Sequence, residues 1–211
     1  MFIWGNVRGF DCSGCNSLTS LKGAPEKVGG NFDCRYCYSL TSLEGAPEKV
    51  DRGFYCTNCK SLTTLKGAPK EVGGDFYCLE CDSLTSLESA PEKVSGFYCS
   101  YCKSLTTLKG APEKVGGDFS CGECSSLTTL KGAPKEVGRD FYCSKCHSLT
   151  SLEGAPEKVS GFYCSYCKSL TTLKGAPKEV GGNFDCRYCY SLTSLEGAPK
   201  KVGGKLCSNL R

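Results

Sequence analysis

A Cys-x-x-Cys pair returns nine times along the 211 residues of this chain. The first cysteines are Cys12, Cys34, Cys56, Cys78, Cys99, Cys121, Cys143, Cys164 and Cys186, and the second follow at Cys15, Cys37, Cys59, Cys81, Cys102, Cys124, Cys146, Cys167 and Cys189. The step is 22 residues, or 21 where the connector loses one residue, as in Val94-Ser95-Gly96-Phe97. A fixed period of this length marks a stacked repeat, because a unit so short cannot bury its apolar side alone. Every copy has the skeleton Phe-x-Cys-x-x-Cys-x-Ser-Leu-Thr-x-Leu, then a polar turn with Ala-Pro, then Val.

Phe-x-Cys alternates as a short half-buried strand does. Stacking copies in register, about 4.8 Å apart, would bury a continuous core. In one copy the inward set is predicted to be Phe54, Cys56, Cys59, Leu62, Leu65, Ala68, Pro69 and Val72. Gly67-Ala68-Pro69 and Gly73-Gly74 are poor helix formers, so the return arm is predicted as turns or short 3-10 pieces, with little or no α-helix. The extra Gly before Phe in some copies predicts a bulge entering the strand. The expected fold is a repeat solenoid of about ten coils, roughly 45 Å long at the strand spacing, forming a single unit over 1-211. Residues 1-11 would be an N-terminal cap and partial repeat, 12-205 nine full repeats, and 206-211 a truncated tenth starting at Leu206-Cys207. Phe2, Ile3 and Trp4 are expected to cover the first coil, whereas the last coil lacks a polar cap and is expected to self-associate end to end.

The run Val-x-x-(x)-Phe-x-Cys-x-x-Cys-x-x-Leu resembles the leucine-rich repeat core, L-x-x-L-x-L-x-x-N/C-x-L, in its cysteine form. The tail Ser-Leu-Thr-x-Leu-x-x-Ala-Pro-x-x-Val resembles the short Pro-containing repeats of bacterial and phage leucine-rich proteins. The resemblance covers nearly the whole chain and implies short parallel strands and protein partners. The chain departs from the pattern in placing Cys where the strand usually carries Leu.

Hydrophobic residues make up 39% of the chain and charged ones 23%, enough to bury a core. The net charge of +4 is too weak a bias to point to nucleic acid. Neither a signal peptide nor a membrane span is visible, so no membrane partner is expected and the expected compartment is a reducing cytoplasm. There, nineteen cysteines do not read as disulfides. Two readings remain. In one, no cofactor is expected and the eighteen paired cysteines form inward ladders, each thiol packing as a small hydrophobe. In the other, the pairs of neighbouring coils hold zinc or iron–sulfur clusters, a linear array suited to electron transfer.

Catalysis finds little support, and the chain is not expected to be an enzyme. His147 beside Cys146 would need an exposed thiolate, yet the repeat places Cys146 inward. The Gly pairs recur without opening helices, and no carboxylate pair is unique. Tyrosine is more informative. Tyr55, Tyr77, Tyr98, Tyr142 and Tyr163 precede the first Cys, Tyr36, Tyr101, Tyr166 and Tyr188 lie within the pair, and Tyr38 and Tyr190 follow it. With the cysteines inward, these residues would face outward as a stripe suited to binding a protein partner, or would stack across strands and stabilise the sheet. Arg35, Arg187, Glu80, Glu123 and Lys145 vary the same face. After the second Leu, the series Lys22, Glu44, Lys66, Glu88, Lys109, Lys131, Glu153, Lys174, Glu196 has opposite sign at all but one neighbouring step, a pattern that would oppose slipped coils.

Overall fold

The computed structural model of the protein describes residues 6 to 210; Phe2, Ile3 and Trp4, read above as a cap, lie outside the described residues. Among the described residues the regular structure is strand and turn, without helix. Every strand is two residues long. Phe10–Asp11, Phe32–Asp33, Phe54–Tyr55, Phe76–Tyr77, Phe97–Tyr98, Phe119–Ser120, Phe141–Tyr142, Phe162–Tyr163, Phe184–Asp185 and Leu206–Cys207 form one ten-stranded parallel sheet in chain order. Its register sets Phe on Phe from one coil to the next. The chain is therefore a parallel β-solenoid with a repeat of about 22 residues.

The strand alternation has a direct physical result. Each Phe and each first Cys turns inward, and the residue between them turns out. The rings of Phe32, Phe54, Phe76, Phe97, Phe119, Phe141, Phe162 and Phe184 are fully buried and stack at 4.8 to 5.7 Å along the axis. Columns of Cys, Leu and Val run beside them in the same core. Of the inward set in the third copy, Phe54, Cys56, Cys59, Leu62, Leu65, Pro69 and Val72 are buried and Ala68 is half-buried.

The return arm holds turns and also a second run of strands that the sequence reading did not foresee. Lys27–Val28, Lys49–Val50 and Glu71–Val72 pair in parallel, as do Lys114–Val115 with Glu136–Val137, and Lys158–Val159 with Glu179–Val180 and Lys201–Val202. This run is reduced to isolated bridges, or interrupted, on entering the two 21-residue coils that end at Val94 and Val159. The main sheet passes through both coils unbroken, with Phe76 on Phe97 and Phe141 on Phe162. The extra Gly of the longer copies accordingly lies in the connector between Val and Phe and makes no bulge in the strand. The connector is tight: a methyl group on Gly73 would fall 2.2 Å from the Asp51 carbonyl oxygen one coil below.

The last coil joins the stack with an offset. Leu206 takes the place of Phe and Cys207 pairs with Asp185, so Cys207 stands in the outward column and Ser208 where a first cysteine would be. Cys207 is thus no part of the cysteine columns.

Candidate functional site: the strand face and the thiol columns

On the outer face of the ten-stranded sheet two columns carry the tyrosines. The first, one residue before each first Cys, reads Asp11, Asp33, Tyr55, Tyr77, Tyr98, Ser120, Tyr142, Tyr163, Asp185. Its rings are half-buried because they stack on one another: Tyr55 on Tyr77 at 5.1 Å, Tyr77 on Tyr98 at 4.7 Å and Tyr142 on Tyr163 at 4.9 Å. Their hydroxyls are tied as well. Tyr77 donates to Asp75 Oδ2 at 3.0 Å and Tyr142 to Asp140 Oδ2 at 2.9 Å. Burial and then these carboxylates push both phenols well above their ordinary value. At the two ends the column changes character. Asp33 pairs with Arg35 and Asp185 with Arg187, at 2.6 and 2.7 Å, and the Arg35 guanidinium stands 5.6 Å from the centre of the Tyr55 ring.

The second column is the third residue of each Cys-x-x-Cys. Its backbone is left-handed in every pair from Tyr36 to Tyr188, with φ between 56° and 64°, and Gly14 takes the same conformation at 71°. Few side chains accept this region readily. Since every copy does so, the conformation belongs to the turn and does not single out one coil. Tyr36, Tyr101 and Tyr166 are exposed there, and Tyr188 is half-buried with its ring 4.4 Å from that of Tyr166. Tyr38 and Tyr190 flank this column, Tyr190 being 74% exposed. The structure therefore brings onto one face the nine tyrosines that precede a first Cys or lie within a pair, with Tyr38 and Tyr190 beside them. It also gives the cross-strand stacking that was the competing expectation, in Tyr55–Tyr77–Tyr98, Tyr142–Tyr163 and Tyr166–Tyr188. Sequence reading missed Asp75 and Asp140, although the run Asp-Phe-Tyr signals them: two residues apart on a strand, side chains share a face.

Behind this face the cysteines form two columns of different chemistry. The second thiol of each pair donates to the carbonyl of the first cysteine in the coil below: Cys59 Sγ to Cys34 O at 3.2 Å, Cys81 to Cys56 at 3.3 Å, Cys102 to Cys78 at 3.1 Å, Cys146 to Cys121 at 3.2 Å. The ladder runs from Cys37 to Cys189. The second thiol itself therefore bonds the backbone of the coil below. Among the first cysteines the thiol of Cys186 reaches the Cys207 carbonyl, at 3.5 Å. Burial pushes Cys56, Cys78, Cys99, Cys143 and Cys164 far above the ordinary thiol value, and brings Cys37 to about 11 and Cys12 to about 12.

A metal or cluster needs deprotonated thiolates gathered about one point. Among the described residues no three His, Cys, Asp or Glu side chains are so gathered. The second thiols are engaged with backbone carbonyls along the columns, so among the described residues the thiols as placed form no four-ligand cage for zinc or an iron–sulfur cluster. His147 and Cys146 likewise face different partners. His147 Nδ1 lies 3.1 Å from the Tyr166 carbonyl, while Cys146 donates to Cys121.

The return arm carries the charge columns. Lys66 pairs with Glu44 at 2.6 Å, Lys109 with Glu88 at 2.7 Å, and Glu153 with both Lys174 at 2.8 Å and Lys131 at 3.9 Å. A further pair of columns follows each Pro. At several steps Glu-Lys in one coil meets Lys-Glu in the next, as in Lys135 with Glu113 and Lys114 with Glu136, both at 2.8 Å, whereas Lys27 faces Lys49. Among the described residues no helix is long and apolar enough to cross a membrane. Comparison of the chain with protein-family models, with curated proteins and with solved structures found no match.

Proposed function

We propose that the chain is a non-catalytic repeat scaffold that binds a protein partner through its tyrosine-bearing strand face. The observation that carries the proposal is the state of those tyrosines. The rings of Tyr55, Tyr77 and Tyr98, of Tyr142 and Tyr163, and of Tyr166 and Tyr188 are stacked, the Tyr77 and Tyr142 hydroxyls are held, and much of an amphipathic surface stands ordered before any partner arrives. Ordering side chains on binding costs free energy, and here that cost is already met by the fold. Repetition argues in the same direction. An enzyme needs one unique constellation, whereas each candidate group here recurs up the stack. We read the coil as a divergent, cysteine-form leucine-rich repeat acting in a reducing compartment. The thiols are then core and hydrogen-bond donors, with no cofactor.

Replacing Tyr77, Tyr98 and Tyr142 together by Ser should leave the far-ultraviolet circular dichroism unchanged and abolish binding to a partner identified by cross-linking and mass spectrometry. Retained binding to that partner overturns the face assignment. Elemental analysis of anaerobically purified protein tests the thiols. The expected material is colourless and metal-free. About one zinc or about four irons for each two coils would replace the scaffold reading with a metal-binding one.

A further inference from the structure

The first tyrosine column has a rung missing. Ser120 pairs with Tyr98 on one side and Tyr142 on the other, and beyond each neighbour the stacking resumes. Two strand spacings put Tyr98 and Tyr142 roughly 9.6 Å apart along the axis. One aromatic ring inserted between them would lie at about the 4.7 and 4.9 Å that Tyr77–Tyr98 and Tyr142–Tyr163 already show. The floor of the gap is small and fixed. Ser120 is half-buried and its Oγ lies 2.7 Å from Ser100 Oγ, and Gly122, two residues on, adds no side chain.

A second observation names the kind of ring. Where a coil reads Asp-Phe-Tyr, the phenol donates to its own aspartate, as in Tyr77 with Asp75 and Tyr142 with Asp140. The coil Asp118-Phe119-Ser120 keeps the aspartate and lacks a phenol of its own, Asp118 being reached by the Tyr98 hydroxyl of the coil below. Asp118 Oδ1 accepts the Asp140 amide at 3.1 Å, which fixes the carboxylate in place.

We propose that the Ser120 rung is a recognition slot for one tyrosine side chain of a partner protein, its ring entering between Tyr98 and Tyr142 and its hydroxyl donating to Asp118. The proposal rests on the strand-face reading and deepens it. A phenylalanine would stack but bring no second donor to Asp118, which the Tyr98 hydroxyl already reaches. A nucleotide would bring phosphate toward Asp118 and Asp140, whose charge repels it.

The test uses the full-length protein and N-acetyltyrosinamide as probe, followed by amide chemical shifts. The probe should shift Ser120 and Gly122, and N-acetylphenylalaninamide should bind about tenfold more weakly for want of the hydrogen bond to a charged acceptor. Asp118→Ala should remove that preference. Ser120→Tyr should refill the column and abolish probe binding with the circular dichroism intact, whereas Ser120→Ala should keep it. Absent shifts, shifts that survive Ser120→Tyr, or adenosine monophosphate binding as well as the tyrosine probe would each overturn the slot. The two proposals fail separately. A partner lost from the triple Tyr→Ser variant but held by Ser120→Tyr refutes the slot alone. A probe that enters the slot while the triple variant keeps its partner refutes the strand-face reading.

Discussion

At the scale of the residue, the two cysteines of a pair look alike in the sequence and do different work. The first fills space beside the Phe column. The second fills space and also gives its proton to a buried carbonyl one coil below. A buried acceptor that loses its donor costs about 1 to 3 kcal/mol, whereas a near-isosteric apolar swap usually costs less than about 1.5 kcal/mol. Cys78→Val should accordingly lower the stability little, and Cys81→Val should cost about 1 to 3 kcal/mol by stranding the Cys56 carbonyl. Urea unfolding of the two variants checks this. Equal losses would show that the thiol–carbonyl ladder contributes nothing beyond packing. A four-thiol metal site would instead make both replacements comparably severe.

At the scale of the element, the strand Phe-x-Cys and the inward Leu and Val positions were legible because their spacing and apolar character repeat in every copy. The second strand run was not. Its two residues, such as Lys49–Val50, alternate too briefly to form a period, and only the coil above and the coil below make them a strand. The charge columns show the same limit. Lys22 to Glu196 was readable as one alternating series, but the Glu-Lys and Lys-Glu dipeptides after the first eight prolines gain meaning only once neighbouring coils set Lys114 against Glu136. These pairs are exposed, so their use is in opposing slippage more than in stability. Glu153 lies between Lys131 and Lys174 and is held below the usual carboxylate range by its bond to Lys174. Glu153→Lys would place lysines in three successive coils, next to Lys109 as a fourth. The urea midpoint should fall at low ionic strength, and the difference from the parent should shrink toward zero in about 1 M salt, where exposed charges are screened within about 3 Å. A loss that persists in salt would show that packing, not charge, fixes the register there.

At the scale of the whole molecule, the strand face was legible as a stripe of tyrosines, while the missing rung and the carboxylate beside it were not. Ser120 is one serine among many until the register sets it between Tyr98 and Tyr142. The thiols give the molecule a collective property of another kind. Of the nineteen cysteines, all but Cys12, Cys15 and Cys207 are buried in one continuous core. In the unfolded chain a thiol ionises near pH 8.5. In the folded chain burial holds Cys56, Cys78, Cys99, Cys143 and Cys164 protonated far beyond that. Above that pH the folded state therefore binds more protons than the unfolded one, and stability must fall as pH rises. Below it these five thiols are protonated in both states and leave stability independent of pH. Each buried thiol removes up to ~1.4 kcal/mol per pH unit once the unfolded chain is ionised, and a stack of coils that contact only their neighbours loses them together. Anaerobic circular dichroism in a strong reductant should show a flat stability between about pH 6 and 8 and a steep alkaline unfolding between about pH 9 and 10, reversed on return to neutral pH. Replacing Cys78, Cys99 and Cys143 together by Val should move that unfolding to higher pH. An alkaline midpoint that does not move would mean that these thiols ionise alike in the folded and unfolded chain, and would remove the inert apolar core from the account of this solenoid.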